Sequence, residues 1–204
     1  MSSNRKTWDT FEAMRQAAQD GDPQAQCYLG VCYQNGQGVT QDHHEAVKWL
    51  RRAAERNDPV AQCYLGVCYL SGTGVPQEFG EAARWLREAA EQGDPAAQFN
   101  LGLLYQAGQG VPQNYAEAVK WYLAAAEQEC APAQCNLGLC YQTGRGAAQD
   151  QHEAMKWFIR AARQGDKTAQ HNLGLHFASV ESAAAAEAAE TAAAEGETTE
   201  AESP

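Results

Sequence analysis

The side chains best equipped for chemistry in this chain are its seven cysteines. Six form three Cys-x4-Cys pairs, Cys27/Cys32, Cys63/Cys68 and Cys135/Cys140, and Cys130 stands apart. Such pairs invite a metal-binding reading. On one helix, however, five residues turn the chain through about 500°, so the two thiols point about 140° apart and cannot share an ion. Equivalent thiols on helices packed side by side would lie about 8–10 Å apart, too far for a disulfide. An odd count does not match a secreted disulfide framework, and reduced thiols in a cytosolic protein are expected. Cys32, Cys68 and Cys140 fall in phase with Leu104 and read as small core residues. Cys130 precedes a helix, where a thiolate is stabilised, and is the candidate reactive thiol. His43, His44 and His152 fall at helix starts, and His171 and His176 are five apart, so none forms a ligand set. Gly-x-Gly occurs at 36/38, 72/74, 108/110 and 144/146 as a helix break following no strand, which excludes a nucleotide loop. No metal, cofactor or catalytic centre is predicted.

These residues are positioned by a repeat. Ala-Gln recurs at 25, 61, 97, 133 and 169, and Leu-Gly at 29, 65, 101, 137 and 173, always 36 residues apart. Tyr33, Tyr69, Tyr105, Tyr141 and Phe177 keep the same phase, as do Trp49, Trp85, Trp121 and Trp157. Each unit reads as two helices. Helix A opens with an Asp N-cap and a proline at N1 (Asp22-Pro23, Asp58-Pro59, Asp94-Pro95), and its glycine beside Leu marks close approach of a neighbour. Helix B opens on Asp42/Glu45, Glu78/Glu81, Asn114/Glu117 and Asp150/Glu153, of which Glu78 is the poorest cap. The Trp and the Ala-Ala pair after it are expected to supply the buried face of helix B. The predicted organisation is a capping helix in residues 1–20, a solenoid over 21–178, and an Ala/Glu-rich tail over 179–204 expected to be mostly disordered. The solenoid divides into units 21–56, 57–92, 93–128 and 129–164 with a half unit 165–178, giving ten helices in an all-α fold.

Composition bounds the partners. Formal charge is −11, but the segment from residue 178 onward holds seven Glu and no basic residue, leaving 19 acidic against 15 basic side chains elsewhere. No basic stripe marks nucleic acid as a partner. No window approaches the roughly 20 apolar residues of a membrane span, and the polar N-terminus lacks an apolar run after Arg5 and Lys6. A cytoplasmic location is expected. So is a monomer, with weak self-association through an uncapped terminal repeat.

With Ala-x-x-x-Leu-Gly-x-x-Tyr-x-x-Gly-x-Gly-Val and Ala-x-x-Trp at period 36, the chain resembles the Sel-1-like repeat family, relatives of the tetratricopeptide repeats with a longer A–B loop. The resemblance implies a right-handed α-solenoid of antiparallel helix pairs, acting as an adaptor that assembles protein complexes. Three residues depart from the pattern. Cys130 takes the place of the capping Asp, Pro132 comes one position late, and Ala147 replaces the Val found at 39, 75 and 111, so the fourth unit is expected to begin less tightly. Some cysteine-rich relatives are described as penicillin-binding or β-lactamase-like. Here the only Ser-x-x-Lys is Ser3 to Lys6, outside the repeats, and neither Ser-Asp-Asn nor Lys-Thr-Gly occurs.

The resemblance places helix A on the concave side. Its cores, 23–35, 59–71, 95–107 and 131–143, hold no Asp, Glu, Lys, Arg or His. The groove positions of tetratricopeptide repeats map onto three rows: Cys27, Cys63, Phe99, Cys135 and His171; Val31, Val67, Leu103, Leu139 and Leu175; Gln34, Leu70, Gln106 and Gln142. An apolar face edged by amides suits an extended or helical peptide of low charge, not a basic clamp for a terminal carboxylate. The expected function is a protein-interaction adaptor or scaffold. Two readings compete with it: a hydrolase or redox protein using Cys130, and a secreted effector that binds host proteins.

Overall fold

A computed structural model describes residue 8, residues 10–175 and residue 178 of the chain. Nine helices run α1 (Phe11–Gln19), α2 (Pro23–Asn35), α3 (His43–Ala54), α4 (Pro59–Ser71), α5 (Phe79–Glu91), α6 (Pro95–Ala107), α7 (Tyr115–Glu127), α8 (Ala131–Thr143) and α9 (Gln151–Arg163). Residues 167–175 are helical as well and form α10. Among the described residues there is no strand. The even-numbered helices are helices A, and the odd-numbered ones are helices B; α1 is the lone B and α10 the lone A that the sequence places at the two ends. The proposed tail, 179–204, lies outside the described residues.

Each helix packs mainly on its neighbours in sequence, and α4 also touches α6. The local causes repeat with the period. Asp22, Asp58 and Asp94 accept from the backbone N–H of Ala25, Ala61 and Ala97 at 3.0, 2.8 and 2.8 Å, each followed by a proline in the first helical turn. Asp42, Asn114 and Asp150 cap helix B with two backbone bonds each. Glu78 makes no side-chain cap, as its poorer geometry at this position predicts. The N3 glutamates pair forward with Lys48, Arg84, Lys120 and Lys156; these exposed pairs are worth little to stability. Gly72 closes α4 at φ 72°, a conformation that only glycine adopts without strain.

The core is a series of A–B contacts centred on the helical glycine. A side chain at Gly66 would meet Leu86 Cγ at 2.6 Å, and Gly30, Gly102 and Gly138 face Leu50, Tyr122 and Phe158 at similar range. Those four partners are fully buried. The structure here adjusts the sequence expectation: the residue after each Trp, together with the first Ala of the pair, is the deepest part of helix B. Trp85 and Trp157 are buried, while Trp49 and Trp121 are half-buried. The reason is directional, since the residue after the Trp is the one aimed at the neighbour's glycine.

The in-phase glutamines join successive units. Gln26, Gln62, Gln98 and Gln134 are buried and donate to the carbonyls of Ala18, Ala54, Ala90 and Ala126, near the end of the preceding helix B. A buried amide is tolerated because its hydrogen bonds replace those to water. The fourth unit enters differently. Cys130 is the N-cap of α8 and makes no side-chain cap bond, and Glu129 before it sits at φ 61°, as Asn57 does at φ 64° before the second unit.

Candidate functional site

Helical periodicity and burial define the face of helix A that meets solvent. Within α2 and α4 the exposed stripe is Gln24, Tyr28, half-buried Val31 and Asn35, then Val60, Tyr64, half-buried Val67 and Ser71. Tyr28, Val60 and Tyr64 are 53%, 42% and 38% exposed, an unusual concentration of large apolar surface on adjacent helices. In α6, α8 and α10 the tyrosine position is taken by Asn100, Asn136 and Asn172, all half-buried. The stripe therefore grades from aromatic in the first two units to amide in the later ones, and it carries no ionisable group other than the two tyrosines.

The three predicted rows occupy different depths of this face. Val31, Val67, Leu103 and Leu139 are half-buried, and Leu175 on the terminal helix is exposed. Gln34, Leu70, Gln106 and Gln142 are half-buried as well, and their backbone carbonyls accept from Gln41, Gln77, Gln113 and Gln149, which ties the A–B loop to the end of helix A. Gln106 Oε1 accepts from the Tyr122 hydroxyl at 2.7 Å, whereas Gln34 Oε1 is buried with no partner. In the first row Phe99 is half-buried and His171 exposed, but Cys27, Cys63 and Cys135 are buried between units. The solvent-facing neighbour of that row is the Tyr28/Tyr64 position, one residue on. Sequence reasoning passed over it, although a tyrosine out of phase with every core position, in two units running, was the available sign.

The buried thiols of Cys27, Cys63 and Cys135 sit beside Asp58, Asp94 and Asp166, the N-cap carboxylates of the next helix A. Burial first and the adjacent carboxylate second push all three up, Cys135 to about 12, so they stay protonated and unreactive at neutral pH. Burial alone pushes Cys68 up to about 11. At the third junction both partners change together: Phe99 stands where the thiol would be and Cys130 where the carboxylate would be, and the two lie in one apolar cluster. Cys130 is half-buried, and among the described residues no hydrogen bond joins its thiol to a histidine, lysine or arginine. No group of three His, Cys, Asp or Glu that could hold a metal ion occurs among the described residues. No described helix is long and apolar enough to cross a membrane.

The repeat geometry matches an established family. Four consecutive copies of the Sel1 repeat are found at residues 23–58, 59–94, 95–130 and 131–166. The chain belongs to the Sel1 repeat family. Among solved structures this Sel1 chain is similar to c5321, a protective antigen present in uropathogenic Escherichia coli strains (40% identity, TM-score 0.78, 81% of this chain and 36% of that one). It is similar also to a Sel1 repeat protein from Oxalobacter formigenes (36% identity, TM-score 0.73, 78% of this chain and 63% of that one). It thus spans under two thirds of the length of either. Helicobacter pylori cysteine rich protein B shares the fold at 22% identity with a TM-score of 0.52, covering 67% of this chain and 98% of that one. No curated protein matches. Sel1 repeat proteins are helical solenoids that serve in general as protein-interaction scaffolds and are in general not enzymes.

Proposed function

We propose that this Sel1 chain is an adaptor that holds a weakly charged protein or peptide segment along the exposed stripe of its helices A. One observation carries the reading: large apolar side chains lie open to solvent at Tyr28, Val60 and Tyr64 on a face without carboxylates or cations. Exposed aromatics on a rigid helical surface are low-entropy anchors for a partner. Further along, Asn100 Nδ2 is held by the Ala96 carbonyl at 2.8 Å, which leaves its Oδ1 to accept from a peptide N–H. An anionic terminus has nothing to hold it here, so a basic clamp has no part in recognition.

Affinity capture from the native cell, with partners identified by mass spectrometry, tests the proposal. A partner held by the wild type should be lost with Tyr64→Lys and with Leu103→Asp, while both variants keep the wild-type circular dichroism spectrum. Unchanged recovery with both would refute the helix A face as the binding surface.

A further inference from the structure

The first junction of the solenoid is built differently from the other three. Gln62, Gln98 and Gln134 are held at both ends: each Nε2 donates to a helix B carbonyl, and each Oε1 accepts from the side-chain amide of Gln92, Gln128 or Gln164 at 2.7, 2.8 and 2.8 Å. Gln26 has only the first of these contacts, Nε2 to the Ala18 carbonyl at 3.0 Å. A carbonyl can only accept, which fixes the orientation of the amide and leaves Oε1 without a donor. That oxygen is buried with no partner, on a side chain only 4% exposed.

The residue in phase with Gln92, Gln128 and Gln164 is here Arg56. Its guanidinium lies across Gly21, with Nη1 2.5 Å from where a Cβ would be, rather than on Gln26. What results is an open cavity of about 380 Å³ lined by Asp20, Gly21, Gln26, Arg52, Glu55 and Arg56. Its two arginines and two carboxylates balance, which favours a neutral guest over an ion. Asp20 already accepts from Gln16, and the Arg52 guanidinium stacks on Trp49, 4.5 Å from the ring centre.

We propose that this socket binds the side-chain carboxamide of a glutamine or asparagine on a partner protein, seated where the chain's own glutamine sits in the later units. The exposed Arg56 side chain moves aside to admit the guest, whose NH2 then donates to Gln26 Oε1 while its carbonyl accepts from the Arg56 guanidinium. A carboxylate guest has no donor for Gln26 and leaves that oxygen unpaired, and leaving a buried acceptor unpaired is the costly outcome. The site lies at the turn between helix B and helix A, away from the stripe of the proposed adaptor face, and stands independently of it.

The test is a titration of the full chain with acetyl-glutamine methylamide, read at the side-chain NH2 resonances of Gln26. A saturable shift is expected, at least tenfold weaker with acetyl-glutamate methylamide. It should be at least tenfold weaker also in Arg56→Gln, where the chain's own carboxamide fills the socket as in units two to four. Arg56 is exposed, so this variant keeps the fold, and it should melt higher than wild type. Equal binding of the glutamate probe would mark an anion site and overturn the proposal. So would undiminished binding in Arg56→Gln, or a bound water as the only occupant detected. Free glutamine binding more tightly than the capped probe would point to a metabolite and overturn the assignment to a partner protein.

Discussion

Replacing Gly66 by alanine probes the contact on which every unit depends. The new methyl would lie 2.6 Å from Leu86 Cγ, 3.0 Å from Leu86 Cδ2 and 3.3 Å from the Ala82 carbonyl oxygen. Carbon atoms pack best at about 3.5–4.0 Å, so the fully buried Leu86 must give way by about 1 Å. Overpacking of this kind costs about 1–3 kcal/mol, here toward the upper end because backbone as well as side chain obstructs. Better helix propensity returns about 1 kcal/mol, for a net loss of about 2 kcal/mol. Gly174 holds the same phase in α10, but no described residue lies within 4 Å of a Cβ there. Alanine at 174 should therefore gain up to about 1 kcal/mol, and the two substitutions should differ by about 3 kcal/mol. Urea unfolding followed by circular dichroism and tryptophan fluorescence measures both. If Gly66→Ala proves as stable as Gly174→Ala, the close A–B approach is not what selects glycine.

Other expectations follow from the junctions. Gln134→Leu removes one of two hydrogen bonds from each of the Ala126 carbonyl and the Gln164 amide, which keep Glu129 as a partner, and should cost about 0.5–1.5 kcal/mol, checked by the urea midpoint. Phe99→Cys and Cys130→Asp together rebuild the thiol–carboxylate pair of the other junctions, and a double-mutant cycle should show favourable coupling of about 0.5–3 kcal/mol; strict additivity would contradict the pairing. In the native protein a small thiol reagent should modify Cys130 first and the six buried cysteines only on unfolding, as peptide mass mapping would reveal. Thiols in the unfolded chain ionise near their ordinary value of 9.0, while burial pushes Cys68 up to about 11 and Cys135 to about 12. The folded state thus holds its protons longer. The stability these thiols contribute is whole below about pH 9 and should fall as the pH rises toward 11–12, and a urea midpoint flat across that range under reducing conditions would contradict it.

Much of the solenoid was legible because the residues that repeat are those the backbone needs. Asp-Pro starts, Gly-x-Gly stops and the Leu-Gly step place helix A at 23–35, 59–71, 95–107 and 131–143, the bounds of α2, α4, α6 and α8. The weak cap at Glu78 and the missing one at Cys130 could be read from side-chain chemistry alone. Depth was harder to read. Leu50, Leu86, Tyr122 and Phe158 vary in type, so identity hid a shared position that only the glycine opposite explains. For the candidate face, the lack of charge was visible in the sequence, but mapping through Leu-Gly alone chose Cys27, Cys63 and Cys135, which turn inward to the next unit's carboxylate. Tyr28 and Tyr64 emerged only once that inward turn was known. The thiol–carboxylate partnership itself spans 31 residues and two helices, beyond the reach of any local pattern.

The adaptor reading stands or falls on where a partner leaves its footprint. Hydrogen exchange on the complex with a captured partner, compared peptide by peptide with the free chain, locates it directly. Protection concentrated on α2, α4, α6 and α8, with α3, α5, α7 and α9 unchanged, is the predicted result. Protection confined to the charged outer faces of helices B would contradict it.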